Sequence, residues 1–363
     1  MINKLKKINF LYLFVIFLLQ LIGFAALYSA GGGNLDPWAL KHLTRFGILF
    51  VMLFVIILID LKMFYKYAYL IFLLSLFFLG SVEVAGTFGF GAKRWIKVFG
   101  VSLQPSELVK VTLILFLARY YHDLNYNKIE KIFPHFIPIF FITIPFILIL
   151  SQPDLGTAIT VLILGILILF QVGIKIWKFV LGFAIALILS PFAWNLMKPY
   201  QQKRFLSFLD PESDPLGQGY QLIQSKIALG SGGFSGKGFL EGTQSYLEYL
   251  PEKQTDFIFT LIGEEFGFIG AIFVLILFLM IIILGFYISL KSNHIFGKIL
   301  AVGISINIFL YTILNMFMVV GLLPVVGIPL PLISYGGTAM LSTMISFGLI
   351  LNVYINQNLK KLE

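Results

Sequence analysis

The chain has 363 residues, of which 59% are hydrophobic and 12% charged, and its formal net charge is +9. Soluble domains carry about a quarter charged residues, so this composition excludes an ordinary soluble domain and indicates a helical membrane protein. The absence of cysteine excludes disulfides, thiol catalysis and Cys-ligated metals, and any metal would have to be held by carboxylates. The basic residues are spread over many loops, which argues against nucleic acid as a partner.

Long apolar runs follow one another along the chain, and a membrane-spanning helix needs roughly 20 such residues. We therefore predict an all-α polytopic membrane protein with about ten transmembrane helices in a single domain, residues 1–363. The predicted spans are 8–28, 43–60, 67–85, 106–121, 134–151, 154–172, 176–194, 257–288, 299–320 and 338–356.

The lysines favour an arrangement with both termini in the cytoplasm. The apolar stretch after the basic start is too long for a signal peptide and lacks a clear cleavage site, so we expect a retained first span. With ten spans, every second loop is cytoplasmic, where the positive-inside rule expects Lys and Arg. The predicted inner segments all meet it, through Lys4, Lys6, Lys7, Lys62, Lys66, Lys128, Lys131, Lys175, Lys178, Lys291, Lys298, Lys360 and Lys361.

The fourth span begins with an acid and carries a cation inside the membrane. Glu107 follows Pro105 in the first turn, and Lys110 lies one turn later on the same helical face. Proline and an acid are ordinary helix-start signals, so Glu107 taken alone favours a structural role. An intramembrane cation is costly unless it is paired. Glu107 and Lys110 therefore form either a structural ion pair or part of a site.

Two further outward-to-inward spans also begin with acids, Asp154 before the sixth and Asp256 before the eighth. Asp256 ends the large outer loop, residues 195–256, where a general base would meet water. A helix amino terminus lowers the pKa of such a carboxyl whereas burial raises it, and the sequence does not decide between them.

The outer loop before the fourth span adds three cations, Lys93, Arg94 and Lys97, to the surface that carries these acids. Cations and helix amino termini together favour an anionic group such as pyrophosphate.

The glycine-rich run from Gly230 to Gly238 is not a phosphate-binding loop, because the glycine spacing is wrong and Gly238 stands where Ser or Thr is needed. We interpret it as a loop that allows tight turns or the close approach of a long substrate. Glu264 and Glu265 follow deeper in the eighth span, where packing or ion pairing is favoured over catalysis.

The segment from Leu322 to Gly337 contains three prolines and three glycines at membrane depth. Non-helical backbone there must be buried in protein or line a cavity. A structural plug and a wall of the substrate cavity both remain open.

Six stretches together resemble the SEDS family (shape, elongation, division and sporulation) of peptidoglycan glycosyltransferases, which includes RodA and FtsW. The resemblance covers essentially the whole chain, and the short amino-terminal tail resembles RodA more than FtsW. The stretches are Lys93–Ile96, Gln104–Lys110, Gln152–Thr157, Pro251–Phe259, Gly263–Gly267 and Ile333–Gly337. One departure is Thr338-Ala339 after the double glycine, where small hydroxyl residues such as Ser-Ser are expected.

The resemblance implies polymerisation of lipid II into glycan strands at the outer face of the bacterial cytoplasmic membrane, for elongation and rod shape. It implies catalysis by Asp256 and a class B penicillin-binding protein, a transpeptidase, as partner. A divalent cation, Mg or Mn, would supplement the protein's own cations; its ligands are unknown, and no organic cofactor is expected. The expected substrate-binding residues are Arg94, Lys97, Glu107, Lys110, Asp154, Lys253, Ser334 and Tyr335.

Two other functions compete with this one. A transporter for lipid-linked sugar would place polar residues and broken helices near mid-membrane. Here the charged residues cluster at predicted outer helix ends, which favours surface chemistry. A non-catalytic scaffold would explain the large loop but not the acids and cations at the water boundary.

Overall fold

The computed structural model describes residues 7–89, 92–98, 100–124, 129–213, 217–246, 249–250 and 252–359. Lys4, Lys6, Lys128, Lys360 and Lys361, which contribute to the topology prediction, lie outside these residues, as does Pro251. The fold is a helical bundle with one small sheet. Its helices are α1 (Phe10–Ala30), α2 (Ala39–Leu58), α3 (Leu61–Ala85), α4 (Pro105–Asp123), α5 (Phe136–Ser151), α6 (Leu155–Gln171), α7 (Ile176–Leu196), α8 (Pro199–Leu209), α9 (Gln218–Gly232), α10 (Thr243–Tyr246), α11 (Ile258–Lys291), α12 (Ile295–Val320) and α13 (Gly337–Ile355), with short 3₁₀ turns at Phe133–His135 and Pro211–Ser213.

The prediction of an all-α membrane protein is confirmed, since every predicted span coincides with a helix. Within the described residues, seven helices are long and apolar enough to cross a membrane: α1, α2, α3, the α5 helix with its preceding turn, α11, α12 and α13. The helices α6 and α7 have shorter apolar stretches. Helix α4 is less apolar because it carries four charged residues, yet it is largely buried inside the bundle. Ten crossings therefore stay a prediction.

The helix-start signals also act as predicted. Helix α4 begins at Pro105 with Glu107 in its first turn. Asp154 caps α6, because its Oδ1 accepts a hydrogen bond from the Thr157 backbone N–H at 3.2 Å. The Asp154 cap satisfies a backbone donor that a helix amino terminus leaves free.

The segment before α4 folds as a three-stranded antiparallel sheet: β1 (Thr87–Gly89), β2 (Ala92–Val98) and β3 (Val101–Leu103), with β2 in the centre. It links α3 to α4 and extends to α13, since the Thr338 hydroxyl donates to the Ser102 carbonyl at 3.3 Å. Thr338, one of the two residues that depart from the family pattern, thus anchors the sheet to the bundle.

Helix α11 is broken at Gly267, whose φ of 64° and ψ of −160° interrupt the hydrogen-bond ladder. The glycine-rich loop replaces the lost bonds. The backbone N–H groups of Lys237 and Gly238 donate to the carbonyls of Glu264 and Glu265 at 3.1 and 3.0 Å. Below the break, the N–H groups of residues 268 and 269 donate to the carbonyls of residues 233 and 234.

The glycines of the loop let the two backbones approach this closely. A Cβ built on Gly236 would lie 2.1 Å from the Glu265 carbonyl oxygen, and one on Gly232 would lie 2.0 Å from the Gly263 carbonyl oxygen. The glycine-rich loop therefore approaches helix α11 of the same chain closely.

The segment between α12 and α13 is non-helical, as predicted, and seven of its sixteen residues are buried in protein. It packs against α1, because a Cβ on Gly23 would lie 2.5 Å from the Leu332 carbonyl oxygen. It also packs against the start of α6, since a Cβ on Gly156 would lie 2.5 Å from the Val326 carbonyl oxygen. This segment, residues 321–336, lies beneath the charged residues of the candidate site and is called the floor of the site.

Candidate active site

Asp256 lies in the turn that leads into α11, directly above the 321–336 segment. It is partly buried, and its Oδ2 would be 3.4 Å from a Cβ built on Gly327, an ordinary van der Waals contact, so the positive φ of 73° rather than crowding is what favours glycine there. The Asn315 side chain of α12 donates to the backbone carbonyls of Asp256 at 2.8 Å and Ile328 at 2.7 Å. Asn315 therefore fixes the position of Asp256 relative to the floor.

Ser334 and Tyr335 hold the same turn through backbone groups. The Ser334 hydroxyl donates to the Thr255 carbonyl at 2.6 Å and accepts from the Leu330 backbone N–H at 2.8 Å. The Tyr335 backbone N–H donates to the Gln254 carbonyl at 2.8 Å. Their contacts are those of residues that position Asp256, and their predicted role in substrate binding stays a prediction.

Arg94 and Asp154 form the opposite wall. A guanidinium nitrogen of Arg94 lies 3.8 Å from Asp154 Oδ2, and the same side chain donates to the backbone carbonyls of Gln152 and Pro153. Gln104, just before α4, donates to Asp154 Oδ2 at 3.4 Å, and its backbone N–H donates to the Thr338 hydroxyl at 3.1 Å. Arg94 remains 24% exposed, so part of it can still meet a ligand.

The electrostatic surroundings raise the pKa of Asp256 from 3.8 to about 7. Burial is the largest cause, followed by repulsion from Glu252 and Asp154, whereas Arg204 and Arg94 lower the pKa. The net shift of the pKa is upward, in the direction that burial favours. A carboxyl with this pKa suits a general base near neutral pH.

Glu107 and Lys110 form a buried ion pair with 2.8 Å between Oε1 and Nζ. The Tyr311 hydroxyl of α12 donates to Glu107 and accepts from Lys110. Ser342 of α13 lies at 3.5 Å from Glu107 Oε2. Since Ser342 is one helical turn below Thr338, this cluster lies roughly 5 Å beneath the level of Gln104. It joins α4, α12 and α13 under the site.

The remaining predicted cations are Lys97 and Lys253. Lys97 is exposed, and because it is three positions from Arg94 in β2, its side chain leaves from the opposite face of the strand. Lys253 lines a neighbouring cavity with Glu265 and Asp36. Arg94 is therefore the member of the predicted cation cluster that faces Asp154.

The sequence analysis missed two cations. Arg204 of α8 acts on Asp256 across the outer loop, and nothing in the local sequence distinguishes it from other loop cations. The Arg45 guanidinium lies 4.8 Å from the centre of the Tyr335 ring and beside the first residue of α13. Arg45 lies just inside the second predicted span, so the rule applied to Lys110 could have found it.

Among the described residues, no group of three or more His, Cys, Asp or Glu is arranged to hold a metal ion. Mg²⁺ is often held by only one or two carboxylates together with substrate phosphates, so a divalent cation stays a prediction.

The fold and the site together define an integral membrane protein in which a partly buried acid and several cations lie where the ends of several helices meet. The model of the FtsW/RodA/SpoVE family, described as cell cycle proteins, matches residues 7–359. The chain is 38% identical over 351 residues to the peptidoglycan glycosyltransferase MrdB of Escherichia coli K12, covering 95% of this chain and 93% of MrdB. It is 40% identical to a probable peptidoglycan glycosyltransferase FtsW of Geobacter sp. strain M18, covering 81% and 80% of the two chains.

Solved structures agree with these matches. A chain from a peptidoglycan synthase complex, studied for the coordination of polymerization and crosslinking, superposes with a TM-score of 0.83 at 30% identity and covers 97% and 98% of the two chains. The rod shape determining protein RodA of Thermus thermophilus has the same fold, with a TM-score of 0.73 at 23% identity and coverage of 97% and 98%. The chain belongs to the FtsW/RodA/SpoVE family, which the SEDS resemblance predicted.

Proposed function

We propose that this chain polymerises lipid II into glycan strands, with Asp256 as the general base. Its activity is peptidoglycan glycosyl transfer, because its relatives are named peptidoglycan glycosyltransferases. These names do not favour the transporter hypothesis. The single observation that carries the mechanism is the Asp256 carboxyl, held above the 321–336 segment with its pKa raised to about 7.

In the proposed reaction, Asp256 takes the proton from the 4-hydroxyl of the acceptor GlcNAc as that oxygen attacks the anomeric carbon of the donor MurNAc. The bond from that carbon to undecaprenyl pyrophosphate breaks, and the pyrophosphate leaves as an anion. An inverting displacement of this kind needs only one protein base. The exposed part of Arg94 stabilises the negative charge of the leaving group, as cations do at transferring phosphates.

We assign Glu107 and Lys110 a supporting role. Lys110 is 2% exposed and already bonded to Glu107 and Tyr311. Taking its ammonium away from Glu107 would leave an unpaired buried carboxylate, which is costly. The pair therefore fixes α4 beneath Asp154 and Gln104. Lys97 lies on the outward-exposed face of the sheet, where it can attract an anionic substrate at longer range.

The orientation of the chain in the membrane, its partner protein and its cellular role are also proposed. We propose that both termini are cytoplasmic and that Asp256 faces outward, because Lys62, Lys66, Lys175 and Lys178 lie at the opposite helix ends. A class B penicillin-binding protein is the proposed partner, and the similarity to a chain of a peptidoglycan synthase complex supports it. A role in elongation and rod shape is proposed from the extensive similarity to MrdB.

The test is glycan-strand formation from purified lipid II by the full chain with its transpeptidase partner. Asp256→Asn should abolish polymer formation while the protein still inserts and folds, because the amide cannot accept the proton. Asp210→Asn is the matched control, since Asp210 is an exposed aspartate of the outer loop. Full polymer formation by Asp256→Asn would contradict the assignment, and movement of lipid II between leaflets without polymer would favour a transporter.

A further inference from the structure

The cavity lined by Lys253 lies between the outer end of α1 and the turn that carries Asp256. Its volume is about 460 Å³, within the range of small-molecule sites. Its polar walls are Ser29 and Asp36 near the end of α1, Lys253 of the Asp256 turn and Glu265 of α11, with Trp38 beside them. Nothing in the proposed mechanism uses this cavity.

Glu265 is the strongest sign of a ligand. Its residue is 2% exposed, and its Oε1 accepts a hydrogen bond from the Ser29 hydroxyl. The Leu240 backbone also faces this carboxylate, yet Oε2 has no hydrogen-bond partner among the described residues. A buried carboxylate oxygen without a donor is costly, so a ligand that brings a donor would be stabilised here.

The charges specify the kind of donor. Asp36 adds a second carboxylate, and the carboxyl-terminal end of α1, which also lines the cavity, carries a partial negative charge. Lys253 lines the same cavity and supplies a positive charge beside the two carboxylates. A head group with an ammonium on one side and a phosphate on the other matches this arrangement.

An apolar groove continues from the cavity. Asn34 and Asp36 line both, and the groove's other walls include Phe24, Tyr28 and Phe239. It is open and encloses about 940 Å³ along the outer half of α1. An occupant of cavity and groove together is therefore an amphiphile, with its apolar chain along α1.

We propose that the cavity and groove bind an ethanolamine phospholipid. Its ammonium donates to Glu265 and Asp36, its phosphate pairs with Lys253, and one acyl chain lies against Phe24 and Tyr28. A pyrophosphate-linked saccharide would instead bring its double negative charge next to two carboxylates. The choline head group has no N–H donor for Glu265, so the site distinguishes the two common zwitterionic lipids.

The experiment offers the detergent-purified full chain an equimolar mixture of dioleoyl phosphatidylethanolamine and dioleoyl phosphatidylcholine. Native mass spectrometry then measures the ratio of the retained lipids. One unsatisfied buried acceptor corresponds to a preference of at least about fivefold for the ethanolamine lipid in wild type. Glu265→Gln should bring the ratio close to one, because its amide presents donors of its own.

Glu83→Gln is the matched control, since Glu83 is likewise bonded to a serine, Ser151, but lies at the outer end of α3. It should keep the wild-type ratio. If Glu265→Gln does not fold, Asp36→Asn at the exposed mouth should lower the ratio, and Ala25→Trp should fill the groove and reduce retention of both lipids.

Three outcomes would overturn the proposal. The first is a wild-type ratio of one, and the second is a wild-type ratio preserved in both Glu265→Gln and Asp36→Asn. The third is one-for-one displacement of the ethanolamine lipid by added lipid II, which would make the cavity part of the substrate site. This last outcome leaves the role of Asp256 untouched, so the two proposals can fail separately.

Discussion

The raised pKa of Asp256 predicts the pH dependence of glycan polymerisation. A base must be ionised, so kcat/KM for lipid II should rise with pH and level off above a pKa of about 7. At pH 6 about a tenth of the carboxyl would be ionised, so the rate should be about tenfold below the plateau. The measurement is initial polymerisation rate at low lipid II concentration from pH 5.5 to 8.5.

Two substitutions should move this pH profile in opposite directions. Glu252→Gln removes a negative charge that raises the pKa of Asp256, so the midpoint should shift to lower pH. Arg94→Gln removes a positive charge that lowers this pKa, so the midpoint should shift to higher pH. The position of the midpoint is the readout, because Arg94→Gln should also lower the plateau. A wild-type rate that is flat over this range, or midpoints that shift together, would refute the reasoning.

The same pKa has a consequence for stability. The folded-state value exceeds the ordinary value of 3.8, so the folded protein binds more protons between pH 4 and 7 than the unfolded chain does. Stability should therefore fall as pH rises through this window, by at most about 4 kcal/mol from this one group. Asp256→Asn should remove that part of the pH dependence of thermal unfolding.

Three further predictions concern the supporting structure. Glu107→Gln should leave Lys110 buried without its carboxylate partner and lower the free energy of unfolding by about 3–5 kcal/mol. The double variant Glu107→Gln with Lys110→Met should recover most of the thermal stability. An unchanged melting temperature in the single variant would contradict the buried pair. Gly327→Ala should cost about 1–2 kcal/mol for its positive φ and reduce polymerisation by straining the backbone that faces Asp256. Gly47→Ala lies inside helix α2, where a Cβ meets nothing within 4 Å, so it should lower neither the free energy of unfolding nor polymerisation. Chelation of divalent cations should leave the melting temperature of the substrate-free protein unchanged, because the described residues include no group of three or more His, Cys, Asp or Glu that could hold a metal ion, and a shift would reveal a metal site.

Local signals were enough for much of this fold. Apolar length predicted the helices, and the acid-rich starts predicted where α4 and α6 begin, because both depend on residues close in sequence. The pairing of Glu107 with Lys110 was one of two stated alternatives, and helical spacing alone brings them together.

Long-range contacts could not be predicted in this way. Tyr311 reaches Glu107 from 204 positions away, and Ser29 reaches Glu265 from 236 positions away. The net effect on the Asp256 pKa depends on burial and on Arg204, neither of which has a local signature. The sheet was also not predicted, since its three strands are short and span only residues 87–103.

The break in α11 matters to anyone who labels this protein. Glycine-rich surface loops are usual places to insert an epitope or a fluorophore-binding peptide. Here residues 233–238 supply hydrogen-bond partners to backbone groups of α11 on both sides of Gly267. An insertion between Gly233 and Gly238 would leave those groups unsatisfied in the helix that begins just after Asp256, so the exposed turn near Asp210 is the better place for a tag.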